Sequence, residues 1–533
     1  MRGATQRYRL DNDVKDGILK KTTRLLTAAL AGAVALSLAA CTSSSPAPEP
    51  GSTDSSQTAP LLTLGQFVEP ASFDPATAQE GNAFPMYQAV YDALIKRAPD
   101  GSLEPFLATE WTYNDDQTEL TLALRDDVTF TDGAAFDADA AVANIEHFMR
   151  AGGPQANQAS SIASVDAPDA TTLVISLTEP DPSLEFSLAN ALGLMASPDA
   201  VGTEAIASTP VGSGPYTLDS AIVGSEYTFV RNDDYWDNAL PYDSVKFSII
   251  ADETARVNAL RSGQINAAIY NAPTTAAELR SAGFEVQHAA LNWSGFVYFD
   301  RDGALNPALA DSRVREAITV AIDKEGLLEN TGAGLGELQD QIFPSTALSY
   351  LDDAAGSDRF AYNPDRAREL LAEAGYAEGF TLNMPIGGVF PPALYATVEQ
   401  NLADVGITMT RTEFAPGQII PALLGGKHEI AYFTLAMFND WTTIRQYIAP
   451  DAPWNPFDST DPEVARLIAQ FQFATSDEER TEIGQELNAW LIDNNWYGVF
   501  STVDSTYAND DTVVVELQAQ QAAPSIYNYA PAD

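Results

Sequence analysis

Short strand patterns alternate with longer helix patterns from Leu61 to about residue 500, and this alternation constrains the fold more than any other feature. Residues 61–67 form an apolar segment closed by Pro70, which predicts a buried strand. Residues 83–95 place apolar side chains at helical spacing, and residues 475–491 predict a final long helix. No period of about 20 to 50 residues repeats, which excludes a solenoid. The pattern predicts an open α/β architecture in more than one lobe.

Capping residues mark where two of the predicted helices begin. We expect Asp137 to be the N-cap of a helix over 137–149, and Asn363 precedes a shorter helix over 365–374. Residues 313–328 predict one long amphipathic helix. Its predicted buried face consists of Val314, Ile318, Ala321 and Ile322.

The acidic balance of the chain narrows its possible partners. The sequence has 28 Lys and Arg residues against 74 Asp and Glu residues, a formal net charge of −46. Nucleic acid phosphates and anionic membrane surfaces would be repelled by this charge. The simplest consequence of the charge is solubility. Selection for cationic ligands is the weaker alternative, because net charge does not locate a site.

Few residues are available for metal or covalent chemistry. Cys41 is the single cysteine, so the chain has no intrachain disulfide and no cysteine-based zinc or iron–sulfur site. The three histidines, His147, His288 and His428, are far apart in sequence. HExxH, GxSxG and Walker A motifs do not occur in the sequence. We therefore expect a protein that is not an enzyme and that uses no metal or cofactor.

The amino end has the layout of a bacterial secretion signal. Seven Lys and Arg residues lie within residues 1–24, and residues 25–40 are uncharged and mostly apolar. This apolar segment is shorter than the ~20 residues that a membrane span needs. With Leu-Ala-Ala-Cys at 38–41 and a Ser- and Pro-rich segment after it, the amino end resembles a bacterial lipoprotein signal. The resemblance implies a signal peptide over 1–40, lipid on Cys41 and a flexible tether over 41–60; an ordinary leader or a buried free cysteine is the alternative.

Ordered motifs between about residues 61 and 500 resemble one known family. The motifs occur in the family's own order, which makes the set more specific than any single motif. The matching segments are 105–111 (PFLATEW), 122–133 (LALRDDVTFTDG), 210–216 (PVGSGPY), 231–236 (RNDDYW), 259–265 (ALRSGQI), 311–318 (DSRVREAI), 362–368 (YNPDRAR) and 373–376 (EAGY). The chain is similar to the family 5 extracellular solute-binding proteins, the peptide/nickel and oligopeptide-dipeptide class that serves ABC importers. We expect most of these motif residues to be structural.

The resemblance implies a two-lobed α/β fold of the periplasmic-binding-protein type, class II, with a two-strand hinge. Lobe one is predicted over 61–292, and the chain returns to it over 503–533. Lobe two is predicted over 293–502. An extra subdomain is predicted within lobe one, near 85–208. Two lobes joined in this way close on a ligand in the cleft between them.

The function that the resemblance implies is capture and delivery of a solute. The protein would bind a ligand, with peptides first, in the interlobe cleft and hand it to the permease and ATPase of an ABC importer. It would be a monomer held by its lipid at the outer face of the cytoplasmic membrane. Sugars, opines and metal chelates are carried on the same fold and stay open as ligands. A peptide-binding chaperone or signalling receptor and a secreted hydrolase are the alternative functions.

One segment of lobe two is the leading candidate for ligand contact. In the peptide binders of this family, an aspartate in a Trp-x-x-Asp-type segment receives the ligand's ammonium group. The similar segment here runs from Met437 to Trp441, which makes Asp440 the expected ammonium partner, beside Phe438, Asn439 and Trp441. Met437 stands where an aromatic residue is usual, and the Asp-Pro pair that normally follows is missing. An ordinary solvated loop aspartate is therefore the alternative.

Five further positions are candidates for the cleft. Trp293 lies near the predicted crossing between lobes, where it forms either an apolar cleft wall or part of the core. Glu80 and Asn82 follow the first strand and are expected to face the cleft from lobe one. Lys427 and His428 are candidates for binding a ligand carboxylate, with surface exposure as the alternative.

Overall fold

The structure is a computed structural model that describes residues 59–532 apart from 332–334, 355–357 and 416. The predicted signal peptide, the lipidation site Cys41 and nearly all of the predicted tether lie outside the described residues. Within the described part of the chain, no helix combines the length and apolar character needed to cross a membrane.

Strands occur along the whole of the described chain. They are β1 (Leu62–Gln66), β2 (Ile95–Arg97), β3 (Leu103–Pro105), β4 (Ala108–Tyr113), β5 (Glu119–Leu124), β6 (Ile162–Asp169), β7 (Thr172–Leu177), β8 (Tyr216–Ile222), β9 (Glu226–Arg231), β10 (Ser244–Ile249), β11 (Ala267–Tyr270), β12 (Glu285–Tyr298), β13 (Phe380–Ile386), β14 (Ile407–Glu413), β15 (Ile430–Ala436), β16 (Tyr497–Asn509), β17 (Val513–Val515) and β18 (Tyr529–Pro531). Their first member confirms the strand predicted over 61–67.

Helices alternate with these strands. They are α1 (Phe84–Gln88), α2 (Ala138–Ala151), α3 (Leu184–Leu188), α4 (Glu253–Arg261), α5 (Pro273–Ser281), α6 (Ser312–Val320), α7 (Lys324–Thr331), α8 (Pro364–Glu373), α9 (Pro392–Asp404), α10 (Ile419–Leu423), α11 (Asp440–Thr443), α12 (Pro462–Phe473) and α13 (Asp477–Asp493). A π-helical turn, Ile444–Ile448, continues directly from α11. The predicted mixed α/β class is therefore confirmed.

One large mixed sheet organises the molecule. Its eight strands lie in the order β15-β12-β16-β11-β1-β10-β9-β8. β1 is parallel to both of its neighbours, whereas β12 is antiparallel to β15 and β16. A separate antiparallel sheet, β4-β5-β7-β6, lies within the region where the extra subdomain is predicted.

Two long strands, β12 and β16, connect the two halves of this sheet. They pair from Glu285 with Asn509 to Val297 with Tyr497, with register shifts on β12 near Leu291 and after Ser294. We call β12 and β16 the crossing strands. The predicted boundaries of the lobes, at 292/293 and 502/503, fall on them and stay a prediction.

Buried apolar side chains gather in separate clusters. One cluster spans residues 62–269 and also takes in residues 507–529 from the carboxyl end. Two others consist of residues between 293 and 500. The carboxyl-terminal segment therefore packs with the amino-terminal half, where the sequence predicts its return.

The helix predicted over 83–95 is wrong in length, because α1 has little more than one turn. The Tyr91 N–H still donates to the Tyr87 carbonyl at 2.8 Å, but other backbone groups after α1 bond to distant segments. The Leu94 N–H donates to the Gly193 carbonyl at 2.9 Å, and the Val90 carbonyl accepts from the Gly214 N–H at 2.8 Å. These long-range bonds take up the groups that a continued helix would need.

The single helix predicted over 313–328 is also corrected, since the chain forms α6 and α7 with a break between them. The Asp323 carboxylate accepts from the Gly326 N–H at 3.0 Å and so starts the second helix afresh. The predicted buried face is confirmed, because its four side chains are fully buried: Val314, Ile318, Ala321 and Ile322.

Both predicted helix caps are confirmed. The Asp137 carboxylate accepts from the Ala140 N–H at 2.9 Å at the start of α2. The Asn363 side chain accepts from the Arg366 N–H at 3.0 Å at the start of α8. Each cap satisfies a backbone donor that a helix start leaves without a partner.

Candidate ligand-binding cleft

A cavity of about 670 Å³ lies beside the crossing strands. Its walls come from the loop after β1, from β2 and α3, from the end of β11, from residues 436–446 and from residues 520–522. Because β1 and β11 are parallel neighbours, the segments that follow them leave the sheet at the same edge, where open α/β sheets place their ligands. Its volume lies within the range of about 300–1,000 Å³ that is usual for small-molecule sites. We call this cavity the cleft.

Four of the residues singled out from the sequence line the cleft. Glu80 and Asn82 lie in one wall, and Phe438 and Asn439 lie in another. The Asn439 side chain also accepts from the Thr442 N–H at 2.9 Å and caps α11. Placement in the wall agrees with the expectation for these four residues, and contact with a ligand stays a prediction.

Asp440 is buried and already has two partners. Its carboxylate oxygens accept from the backbone N–H groups of Leu348 at 3.0 Å and Ser349 at 2.8 Å. Asp440 is not among the cleft-lining residues, although Asn439 and Thr442 on either side are. The geometry gives Asp440 the role of fixing the 344–350 loop, and its contact with a ligand ammonium stays a prediction.

The two tryptophans singled out from the sequence lie elsewhere. Trp441 stacks on Phe471 with ring centroids 6.2 Å apart and lines an adjoining cavity of about 410 Å³. Trp293 is fully buried and packs edge-on against Tyr447 and Tyr497. Of the two roles that the sequence left open for Trp293, the structure shows the core.

Glu80 is held by the protein around it. Its carboxylate accepts from Gln158 Nε2 at 2.6 Å and from the Ala191 N–H at 3.0 Å. Burial raises the pKa of the Glu80 carboxyl, although these hydrogen bonds and the charge of Arg97 act in the opposite direction. The orientation of Glu80 is therefore set by residues that lie with it in predicted lobe one.

Arg97 is a cleft residue that the sequence analysis missed. Its guanidinium lies over the Phe186 ring at 4.8 Å, and it donates to the Ala519 carbonyl and to Asn190 Oδ1. Burial lowers the pKa of Arg97 to about 10. The short strand β2 carries no sequence signal for this placement, because residue 519 reaches Arg97 only through the fold.

The two candidates for a ligand carboxylate, Lys427 and His428, do not line the cleft. The His428 ring packs edge-on against Phe414 with centroids 5.3 Å apart, and burial lowers its pKa. Their position therefore does not support a role in binding a ligand carboxylate, and that role stays a prediction.

A second cavity, of about 500 Å³, adjoins the cleft along the crossing strands. It shares Met437 and Gln520 with the cleft. Gln520 Nε2 donates to Thr346 Oγ1 at 2.8 Å, which ties the carboxyl-terminal segment to the 344–350 loop. Among the described residues, no group of three or more His, Cys, Asp or Glu side chains is placed to hold a metal ion.

Comparison with known families identifies the class of protein. A family model described as bacterial extracellular solute-binding proteins, family 5 Middle, matches residues 102–463, which is more than half of the chain. The chain belongs to family 5 of the bacterial extracellular solute-binding proteins. This confirms the family that the ordered motifs indicate.

Two relatives of this chain are named for different ligands. The nickel-binding periplasmic protein of Escherichia coli (strain K12) is 30% identical over 302 residues, which are 54% of this chain and 56% of the relative. The glutathione-binding protein GsiB of Salmonella paratyphi A is 28% identical over 357 residues, which are 65% of this chain and 68% of the relative. The matches thus span little more than half to two thirds of the relatives' lengths.

Solved structures of family 5 proteins share the fold. HbpA2 from Haemophilus parasuis superposes with a TM-score of 0.79 at 19% identity, covering 88% of this chain and 99% of that one. DppA from Helicobacter pylori, in complex with the peptide STSA, superposes with a TM-score of 0.71 at 20% identity. This match covers 91% of this chain and 100% of DppA. NikA from Brucella suis, in complex with Fe(III)-EDTA, superposes with a TM-score of 0.74 at 21% identity. This match covers 89% of this chain and 100% of NikA. These likenesses confirm the predicted two-lobed fold.

Proposed function

We propose that this family 5 protein captures peptides in the cleft and delivers them to an ABC importer. The observation that carries the proposal is the cleft itself, a cavity of about 670 Å³ beside the crossing strands with walls from both predicted lobes. Two named relatives support peptides as the ligand: the glutathione-binding protein GsiB, whose ligand is a tripeptide, and DppA in complex with STSA.

Binding without chemistry is the role that the cleft supports. Both charged groups in its described wall, Glu80 and Arg97, are engaged by protein partners. The relatives that carry a descriptive name are named as binding proteins. We therefore propose that binding energy is used to close the lobes and to discriminate among solutes.

The proposal includes a lipid anchor on Cys41. Its support is the Leu-Ala-Ala-Cys motif at 38–41 after a basic and then an apolar segment. A single acyl chain holds a protein weakly, whereas two or more give stable attachment to a membrane. A fatty-acid probe should label the wild-type protein in cells and leave Cys41→Ala unlabelled and shed. Equal labelling of both proteins would contradict the anchor.

Native mass spectrometry of the purified full chain tests the ligand. We expect peptides of a few residues to be retained and to be released on unfolding. Ser505→Trp places a bulky side chain at the cleft wall and should weaken peptide binding by about tenfold or more, since it fills space that the ligand needs. Ser164→Trp, at an exposed position on β6, is the matched control. Retention of a nickel chelate or a sugar, with no affinity for peptides, would overturn the peptide assignment.

A further inference from the structure

Several side-chain amides without hydrogen-bond partners lie in the wall of the cleft. Five of them are buried or half-buried and make no side-chain hydrogen bond to any other described residue. They are Asn82, Gln155, Asn292, Gln446 and Gln521. They come from both predicted lobes and from the crossing strand β12. A wall of this kind presents donors and acceptors together, because each amide carries one C=O and one NH₂ group.

Two buried amides elsewhere in the described chain show what engagement by the fold looks like. Asn144 donates to the Ala140 and Ala196 carbonyls and accepts from the Ala196 N–H, at 2.8 to 3.0 Å. Asn455 likewise bonds to three residues around it. The five cleft amides named above lack such partners. The Asn82 Oδ1 atom is itself buried, and the other amide groups of this set are available to water or to a ligand. A ligand that excludes water from the cleft must replace those bonds, since a buried amide left without a partner is unfavourable.

The described cleft wall has few charged side chains that could pair with a charged group of a ligand. Glu80 and Arg97 are its only charged residues, and they have opposite signs on the same side of the cleft. Each is held by lobe one through the contacts described above. The Arg97 Nε–H has no acceptor, but this atom is itself buried. An ionic ligand group desolvated here without a free opposite charge would be costly.

Two aromatic rings complete the wall. Phe186 lines the cleft from α3 and Phe438 lines it from the segment after β15, and both are half-buried. The π-helical turn that carries Gln446 also carries Tyr447, whose ring lies 6.0 Å from that of Phe438. Planar apolar surfaces beside amide groups match a ligand that is itself built of flat, uncharged hydrogen-bonding units.

From these contacts we infer that the cleft binds an uncharged, hydrogen-bonding stretch of its ligand and leaves charged groups unpaired. The inference rests on the proposed function: if the ligand is a peptide, this stretch is the part of its backbone that lies away from the two termini. The cleft amides pair with peptide N–H and C=O groups, and the phenylalanine rings pack against flat parts of the chain. Affinity then depends on neutral hydrogen bonds and not on a terminal ammonium or carboxylate.

Matched pairs of probes test the inference by calorimetry on the full chain. One pair is a tetrapeptide library with free termini and the same library N-acetylated and C-amidated. The other pair is cellotetraose and tetragalacturonate, neutral and acidic oligosaccharides. We expect the blocked library to bind within about threefold of the free one. Free peptides that bind about tenfold or more tightly than blocked ones would overturn the inference.

The remaining outcomes separate the inference from the proposed function. Binding of cellotetraose alone would end the peptide assignment and support an uncharged ligand. Binding of tetragalacturonate alone, or of no probe at all, would overturn the inference. The affinity of the better probe should also change little between about 50 and 500 mM salt, because neutral hydrogen bonds are not screened.

Two variants test the residues directly. Gln446→Met and Asn82→Leu nearly keep the size of the side chain while removing its amide group. Each variant should bind the better probe about tenfold more weakly, because a polar group of the ligand loses its hydrogen-bond partner. Neither variant should lower the melting temperature, since neither amide has a partner among the described residues. Gln400→Met, on the exposed side of α9, is the matched control. Unchanged affinity in both cleft variants would contradict the inference.

Discussion

At the residue scale, neighbouring side chains in one short segment have different roles. Phe438 and Asn439 line the cleft, Asp440 holds the 344–350 loop, and Trp441 stacks on Phe471. The difference follows from the turn into α11, which directs successive side chains to different sides. A motif therefore locates such a segment, but the backbone path decides which of its residues meets a ligand.

Asp440→Asn separates a structural role from a role in binding. An asparagine retains one acceptor oxygen for two N–H donors, so we expect a loss of about 1–3 kcal/mol in unfolding free energy. Hydrogen exchange at Leu348 and Ser349 should accelerate. Asp451→Asn, which affects an exposed pair with Arg445, should change neither quantity. A loss of affinity confined to ligands with a free amine would instead support the ammonium contact.

Asp92 explains why the 231–236 motif contains Tyr235 and Trp236. Its fully buried carboxylate accepts from Ser213 Oγ, Tyr235 Oη, Trp236 Nε1 and Tyr527 Oη, at 2.8 to 3.0 Å. These bonds join two distant parts of the chain to the carboxyl-terminal segment. The motif residues here are structural, as the sequence analysis expects.

Removal of the Asp92 carboxylate should destabilise the protein strongly. Asp92→Ala leaves four buried donors without an acceptor, and we expect a loss of about 3 kcal/mol or more in unfolding free energy. Chemical denaturation measures this loss. Asp126→Ala, at an exposed position, is the control and should be nearly neutral. A similar stability for both variants would show that the four donors find other partners.

At the element scale, the starts of helices are set by nearby side chains, while their lengths depend on distant segments. α2 begins where Asp137 accepts from the Ala140 N–H. α1 ends after Gln88 because the following backbone bonds to segments near 193 and 214. Local patterns therefore predict where a helix begins better than where it must stop.

The cap of α2 allows a quantitative test. Asp137→Ala removes an acceptor from the first turn and should cost about 1 kcal/mol in unfolding free energy. Asp139→Ala lies in the same turn but does not act as the cap, so it should cost less. Denaturant unfolding of both variants compares them directly. Equal losses would mean that the charge, and not the capping bond, matters at this helix start.

At the scale of the whole molecule, the region predicted as the extra subdomain contacts residues 472 and 480, which lie in predicted lobe two. Gln472 Nε2 donates to the Pro180 carbonyl at 3.0 Å, and Arg480 lies at hydrogen-bond distance from Gln117. Burial raises the pKa of the nearby Glu185 carboxyl, while the charge of Arg480 lowers it. These contacts lie away from the crossing strands, so they are the ones that a hinge motion would break.

We expect closure of the ligand-free protein to depend on pH through Glu185. A carboxyl whose pKa is raised by burial favours the closed form fully below the ordinary Glu pKa of about 4.3 and loses this contribution as pH rises through the raised value. Small-angle scattering should therefore show a larger radius of gyration at neutral pH than near pH 4.5. Glu185→Gln should reduce this change, and Glu179→Gln, at an exposed position, should not. If the radius of gyration of Glu185→Gln changed with pH as much as that of the wild type, Glu185 would not be the group responsible.

The sequence alone determined the family, the α/β class, the first strand and the helix caps at Asp137 and Asn363. These features depend on residues that are close in sequence or on motifs in a fixed order. The sequence also located Glu80, Asn82, Phe438 and Asn439, which line the cleft.

Only the tertiary structure decided the remaining features of the cleft. Arg97 reaches the wall by bonding to residue 519, more than four hundred positions away. Asp440 turns from the cleft because the 344–350 loop offers it two N–H donors, and Trp293 enters the core because Tyr447 and Tyr497 pack around it. The unpartnered amides come from five separate regions of the chain, and the chemistry they share appears only where the fold brings those regions together.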